Sequence, residues 1–134
     1  MKKIEHIGIA VKDLKAANNL YSKLLNTSPY KMEEVDSESV NTSFFQVGES
    51  KIELLEGTSP DSPISKFIEK RGEGVHHIAF EVDDIEKEIA RLTKEGFQMI
   101  HEKPKDGADN KLIAFLHPKT SNGVLIELCQ EKVL

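Results

Sequence analysis

Apolar and polar positions repeat along this chain in two copies of one pattern. A β-branched and apolar run, Ile4-Glu5-His6-Ile7-Gly8-Ile9-Ala10-Val11, opens the first copy. Val75-His76-His77-Ile78-Ala79-Phe80-Glu81-Val82 opens the second. His77 lies 71 residues after His6, and Asp84 lies 71 residues after Asp13. Ser43-Phe44-Phe45 meets Ala114-Phe115-Leu116 at the same spacing. Lys51-Ile52-Glu53-Leu54-Leu55 then meets Leu125-Ile126-Glu127-Leu128-Cys129 at a spacing of 74, so the turn Pro118–Gly123 carries three extra residues. Matching segments in the same order indicate a tandem duplication of a unit of about 55 to 60 residues. A connector from about 57 to 73 joins module 1 (about 1–56) to module 2 (about 74–134) in a single domain.

Each copy predicts the same elements. Asp13 and Asp84 each supply an N-cap carboxylate for the exposed amides of a helix start. Leu14, Ala17, Leu20, Tyr21, Leu24 and Leu25 follow at helical spacing in the first copy, and Ile85, Ile89 and Leu92 in the second. Gly96 suits the position just past a helix end. Three strands should follow each helix. The last two are separated by Gly48-Glu49-Ser50 in the first copy and by the longer Pro118–Gly123 turn in the second. A short helix is expected in the connector, with Ser62 as cap, Pro63 at the first helical position and Gly72 at the end. The fold class is therefore α+β, built from two tandem βαβββ modules.

Strand alternation sorts the side chains onto faces. Ile4, His6, Gly8 and Ala10 share one face of the first strand, leaving Ile7, Ile9 and Val11 to pack under a helix. His77 and Ala79 replace His6 and Gly8 in the second copy. His76 falls on the opposite face, level with Glu5. Glu53 and Glu127 are each a carboxylate between apolar neighbours in a strand. One such His or Glu alone is usually a satisfied or solvated residue. The same His and Glu recurring in register point to a shared task. If the halves pair about a pseudo-two-fold axis, His6, Glu53, His77 and Glu127 can converge as two nitrogen and two oxygen donors. That set suits a divalent Zn, Co, Ni or Mn ion, and a buried carboxylate needs such a partner.

Composition narrows the function. The 134 residues are 38% hydrophobic and 31% charged, with 18 basic against 23 acidic residues and a net charge of −5. A mildly acidic chain argues against a nucleic-acid partner. The start Met1-Lys2-Lys3-Ile4-Glu5-His6 is expected not to be a secretory leader, since no apolar stretch follows the lysines. No run approaches the ~18 apolar residues of a membrane span. Cys129 is the one cysteine; it is expected to be a small core residue, and a cytoplasmic location is expected. There is no phosphate-binding glycine loop or dinucleotide fingerprint. Of the five histidines, His76, His101 and His117 have no histidine mates. His117, before Pro118, is expected to be a turn residue or pocket wall. Lys103, Lys105 and Lys119 lie in the second-copy loops, where they could meet a phosphate.

At these residues the chain resembles the vicinal oxygen chelate superfamily, which includes glyoxalase I, methylmalonyl-CoA epimerase and extradiol dioxygenases. The matching stretches are the two opening runs, Lys51-Ile52-Glu53-Leu54-Leu55-Glu56, Ala114-Phe115-Leu116-His117-Pro118-Lys119 and Gly123-Val124-Leu125-Ile126-Glu127-Leu128. The connector Ser62–Gly74 is similar to that of the epimerases. The resemblance implies paired βαβββ modules forming a cup-shaped mixed sheet around one divalent metal ion, with ligands at His6, Glu53, His77 and Glu127. It also implies a small thioester or hemithioacetal substrate and, by analogy, a homodimer.

In the family's two leading activities the metal acts on adjacent substrate oxygens. A base removes a proton beside a carbonyl, and an enediolate-like anion forms. The resemblance makes methylmalonyl-CoA epimerisation the first expectation, with Glu127 as one base. The epimerases place a second, glutamate base ahead of the strand holding Ser43-Phe44-Phe45. Without gaps that position falls on Ser37, and Glu38 beside it is the candidate. Lactoylglutathione lyase, which isomerises the methylglyoxal–glutathione hemithioacetal, is the alternative, because it can manage with the metal-site glutamates. A third reading is a non-catalytic small-molecule binder.

Overall fold

The computed structural model describes residues 1–133. It divides into two compact units, His6–His76 and Met1–Glu5 together with the residues from His77 onward.

The first unit contains most of β1 (Lys3–Ala10), then α1 (Leu14–Leu25), β2 (Lys31–Val35), β3 (Val40–Val47), β4 (Ser50–Gly57) and α2 (Pro63–Arg71). Its strands are ordered β2-β3-β4-β1, antiparallel except for the parallel β1–β4 pair. The first helix starts where Asp13 accepts the Ala16 N–H at 3.2 Å. One face of the strands gives Ile9, Val11, Phe45, Ile52 and Leu54 to a cluster with Leu14, Ala17, Tyr21 and Leu25 of α1. Phe45 and Leu54 are fully buried, each worth about 1.5–3 kcal/mol. On the other face Ala10, Val40 and Leu55 pack on Ile64 of α2. Ser62 caps that helix by accepting the Ile64 N–H at 3.2 Å.

The second unit contains most of β5 (Gly74–Glu81), α3 (Ile85–Lys94), β6 (Lys105–Asp106), β7 (Lys111–Leu116) and β8 (Ile126–Glu131). The strand order is β5-β8-β7-β6, with β5 and β8 parallel and the other pairs antiparallel. Asp84 accepts the Lys87 N–H at 3.1 Å, and Gly96 adopts φ 100° just past the helix end, a conformation that favours glycine. Ile85, Ile89 and Leu92 bury their face against Val82, Ala114, Leu116 and Leu128. Lys2 belongs here too: its N–H donates to the Glu81 carbonyl at 2.8 Å.

Both copies thus hold the α+β, βαβββ elements expected from the repeat. They differ at the edge. Whereas β2 pairs all five of its residues with β3, β6 pairs only Lys105 and Asp106 with β7. Pro104 has no N–H to give a ladder. Upstream of it the chain meets β7 again in single contacts, with the Ile100 N–H on the Phe115 carbonyl at 2.8 Å and the His117 N–H on the Gln98 carbonyl at 2.7 Å.

Candidate metal centre

The parallel pairing of β1 with β4 sets Gly8 beside Glu53, and β5 with β8 sets Ala79 beside Glu127. The small residues leave room above the sheet for the carboxylates. Two residues earlier on the same strand faces stand His6 and His77. In the first unit His6 Nδ1 lies 3.0 Å from Glu53 Oε2. In the second His77 Nε2 lies 3.2 Å from Glu127 Oε1. All four are buried, at 4% exposure for His6 and 5% for each of the others.

Burial at this level decides what the pairs can be. An imidazole nitrogen and a carboxylate oxygen at such separation need a proton or a cation between them. His6, Glu53, His77 and Glu127 are among the buried residues that could hold a metal ion. Imidazole with carboxylate suits a borderline divalent metal. The donor set fits the expected cofactor.

An aromatic ring backs each glutamate. Phe44 sits opposite Glu53 across β3–β4, and Phe115 opposite Glu127 across β7–β8. The Phe115 ring meets His77 edge-on, with centroids 5.8 Å apart at 86°. Beyond them stand Tyr30, 5.9 Å from the Phe44 ring, and His101, 5.7 Å from the Phe115 ring.

The remaining candidates lie elsewhere. Glu38 ends a short 3₁₀ turn, Asp36–Glu38, ahead of β3, with Glu38 half-buried and Ser37 exposed. His76 packs edge-on against Phe67 of α2 at 5.0 Å, and burial pushes its pKa down to about 4. His117 accepts the Lys119 N–H on Nδ1 at 3.1 Å, making it the turn residue expected. Cys129 is fully buried, as expected of a core residue. Lys103 and Lys119 are exposed, and Lys105 is half-buried.

Two features escaped the sequence reading. The Leu14 N–H donates to Glu56 Oε2 at 3.0 Å, and the Ile85 N–H donates to Gln130 Oε1 at 2.8 Å. These acceptors stand three residues after Glu53 and Glu127, so they tie each glutamate-bearing strand to the start of its own helix. Their signal was present as a Glu/Gln match at the 74-residue spacing. The second feature is the outer ring: Tyr30 and His101 are themselves 71 residues apart, an aromatic match hidden by the change of residue type.

Known proteins are similar to this chain. A family model described as the Glyoxalase/Bleomycin resistance protein/Dioxygenase superfamily matches residues 5–115. An uncharacterized protein, YqjC of Bacillus subtilis, is 42% identical over 132 residues, covering 98% of this chain and 94% of its own. The ethylmalonyl-CoA/methylmalonyl-CoA epimerase of Cereibacter sphaeroides is 38% identical over 130 residues, covering 96% and 97%. The structure of a single-substitution variant of Streptomyces coelicolor methylmalonyl-CoA epimerase in complex with 2-nitronate-propionyl-CoA superposes with a TM-score of 0.95. It is 34% identical and covers 100% of this chain and 97% of that one. Homologues and structural neighbours of the chain are thus methylmalonyl-CoA epimerases, and the chain belongs to the Glyoxalase/Bleomycin resistance protein/Dioxygenase superfamily.

Proposed function

We propose that this protein is a metal-dependent methylmalonyl-CoA epimerase. The observation that carries the reading is the buried His–Glu pair that each unit presents at repeat-mated positions, His6 with Glu53 and His77 with Glu127. Relatives named as epimerases, which match almost the whole chain, support the choice of substrate.

In this reading the four side chains hold one divalent ion, which supplies Lewis-acid stabilisation of negative charge on the substrate oxygens. The protein's own residues do the rest. Glu127, 3.2 Å from His77 Nε2 and opposite Phe115 across β7–β8, takes the proton beside the thioester carbonyl. Epimerisation needs a second acid–base group on the other face of the planar anion, and Glu38 fills that role. The exposed Lys103 and Lys119 are the cations that this reading offers to the phosphate groups of the coenzyme A moiety. A cytoplasmic homodimer completes the proposal.

One observation favours the second reading, lactoylglutathione lyase: Ser37 occupies the position where the epimerase pattern expects glutamate. The two activities separate in one experiment. The metal-loaded protein is given methylmalonyl-CoA in deuterium oxide, and in parallel the methylglyoxal–glutathione hemithioacetal. Deuterium entering the α carbon with inversion supports the epimerase. Turnover of the hemithioacetal alone overturns it.

A further inference from the structure

We propose that His101 is a positioning residue for His77, acting through the ring of Phe115. The affinity consequence drawn below rests on the reading of His77 as a metal ligand; the packing of the three rings does not.

Phe115 is gripped from one side by two consecutive residues. Its carbonyl accepts the Ile100 N–H at 2.8 Å, and its own N–H donates to His101 Nδ1 at 3.3 Å. An accepting Nδ1 carries no proton, so the proton of the neutral ring sits on Nε2. The His101 ring also lies against the Phe115 ring, at 5.7 Å and 60°. The Phe115 ring also meets His77 edge-on. Phe115 therefore touches both His101 and His77, while Glu127 Oε1 lies 3.2 Å from His77 Nε2.

The broken edge strand explains why a histidine stands there. β6 pairs only with Leu112 and Ile113 of β7, so Phe115 has no ladder residue opposite it in β6. An interior N–H without an acceptor is costly, and the imidazole nitrogen replaces the missing strand. An apolar side chain at this position would fill space but leave that N–H unmet. In the first unit, where β2 is whole, the mated residue is Tyr30. There the Tyr30 N–H donates to the Phe44 carbonyl at 2.9 Å, as the Ile100 N–H does to Phe115, and the Tyr30 ring lies 5.9 Å from the Phe44 ring.

The test compares the full-length protein with His101→Ala, which loses ring and acceptor, and His101→Asn, which keeps an acceptor. Histidine ring signals are recorded by NMR without metal, and cobalt(II) affinity is then titrated. We expect His101→Ala to move the His77 ring signals while leaving those of His6 in place. Cobalt binding should weaken about 10-fold, the lower end for groups that orient a ligand. His101→Asn should recover part of both effects. Loss of thermal stability with unchanged His77 signals and unchanged cobalt affinity, in either variant, would make His101 a structural residue and overturn the proposal. Wild-type protein that binds no cobalt counts against the metal reading; the His77 signals then still decide whether His101 positions that ring.

Discussion

The two copies of the module solve one problem with different parts. Both bury a histidine against a glutamate, back the glutamate with phenylalanine, and tie the strand to its helix through the residue three places on. These features depend on strand register, which duplication copies intact. The edges have diverged. In the first copy Phe44 is fully buried under a complete β2, whereas Phe115 is half-buried beside a strand cut short at Pro104. The comparison separates what the site requires from what merely supports it: donors keep their register, and supports are rebuilt from whatever the edge offers.

The largest expected break between the copies is chemical. Glu127→Gln should lower α-proton exchange by about 10²–10⁴-fold, the usual worth of a positioned base, whereas Glu53→Gln should lose far less because Glu53 serves only as a ligand. Exchange rates with saturating metal decide it, and equal losses would erase the asymmetry that the proposed roles of Glu127 as base and Glu53 as ligand require. Next comes packing. Phe44→Ala should cost about 3–5 kcal/mol of unfolding free energy, and Phe115→Ala clearly less, as read from urea denaturation.

A third contrast concerns His76. Glu5 and His76 occupy mated positions, and His76 stays neutral in the folded chain down to about pH 4 because burial disfavours its charged form. The unfolded chain takes up that proton near the ordinary value of 6.5. Stability is therefore flat above pH 6.5 and falls as the pH drops towards 4, by about 2 kcal/mol between pH 7.5 and pH 5. His76→Phe should flatten that slope, checked by denaturation at the two pH values. The smallest effect concerns the helix ties. Removing Glu56 or Gln130 by alanine should cost about 1 kcal/mol each. Only the Glu56 loss should shrink with salt, because only that acceptor is charged and sits at a helix start.

Much of this was legible along the chain because register leaves a periodic trace. His6, His77, Glu53 and Glu127 stood out as identical residues at constant spacing, and Asp13, Asp84 and Ser62 as caps directly before helical runs. The structure puts each cap where the pattern placed it and joins each His to its own Glu. The rest left no identical residues to match. Glu56 and Gln130 differ in charge but share an acceptor oxygen, while Tyr30 and His101 differ in polarity but share a flat ring. The short β6 follows from one proline, whose missing N–H only matters once its neighbour strand is known. Matching by chemical capacity rather than by residue name would have found the first two pairs.

The central claim is that two copied halves make one metal site. It is tested most directly by counting ions: wild-type protein, His6→Ala and His77→Ala are each titrated with cobalt(II), and bound metal is measured per chain. One ion per chain in the wild type, with tight binding lost in both variants alike, is the predicted result. Two ions per chain, or one that persists when either histidine is removed, would contradict it.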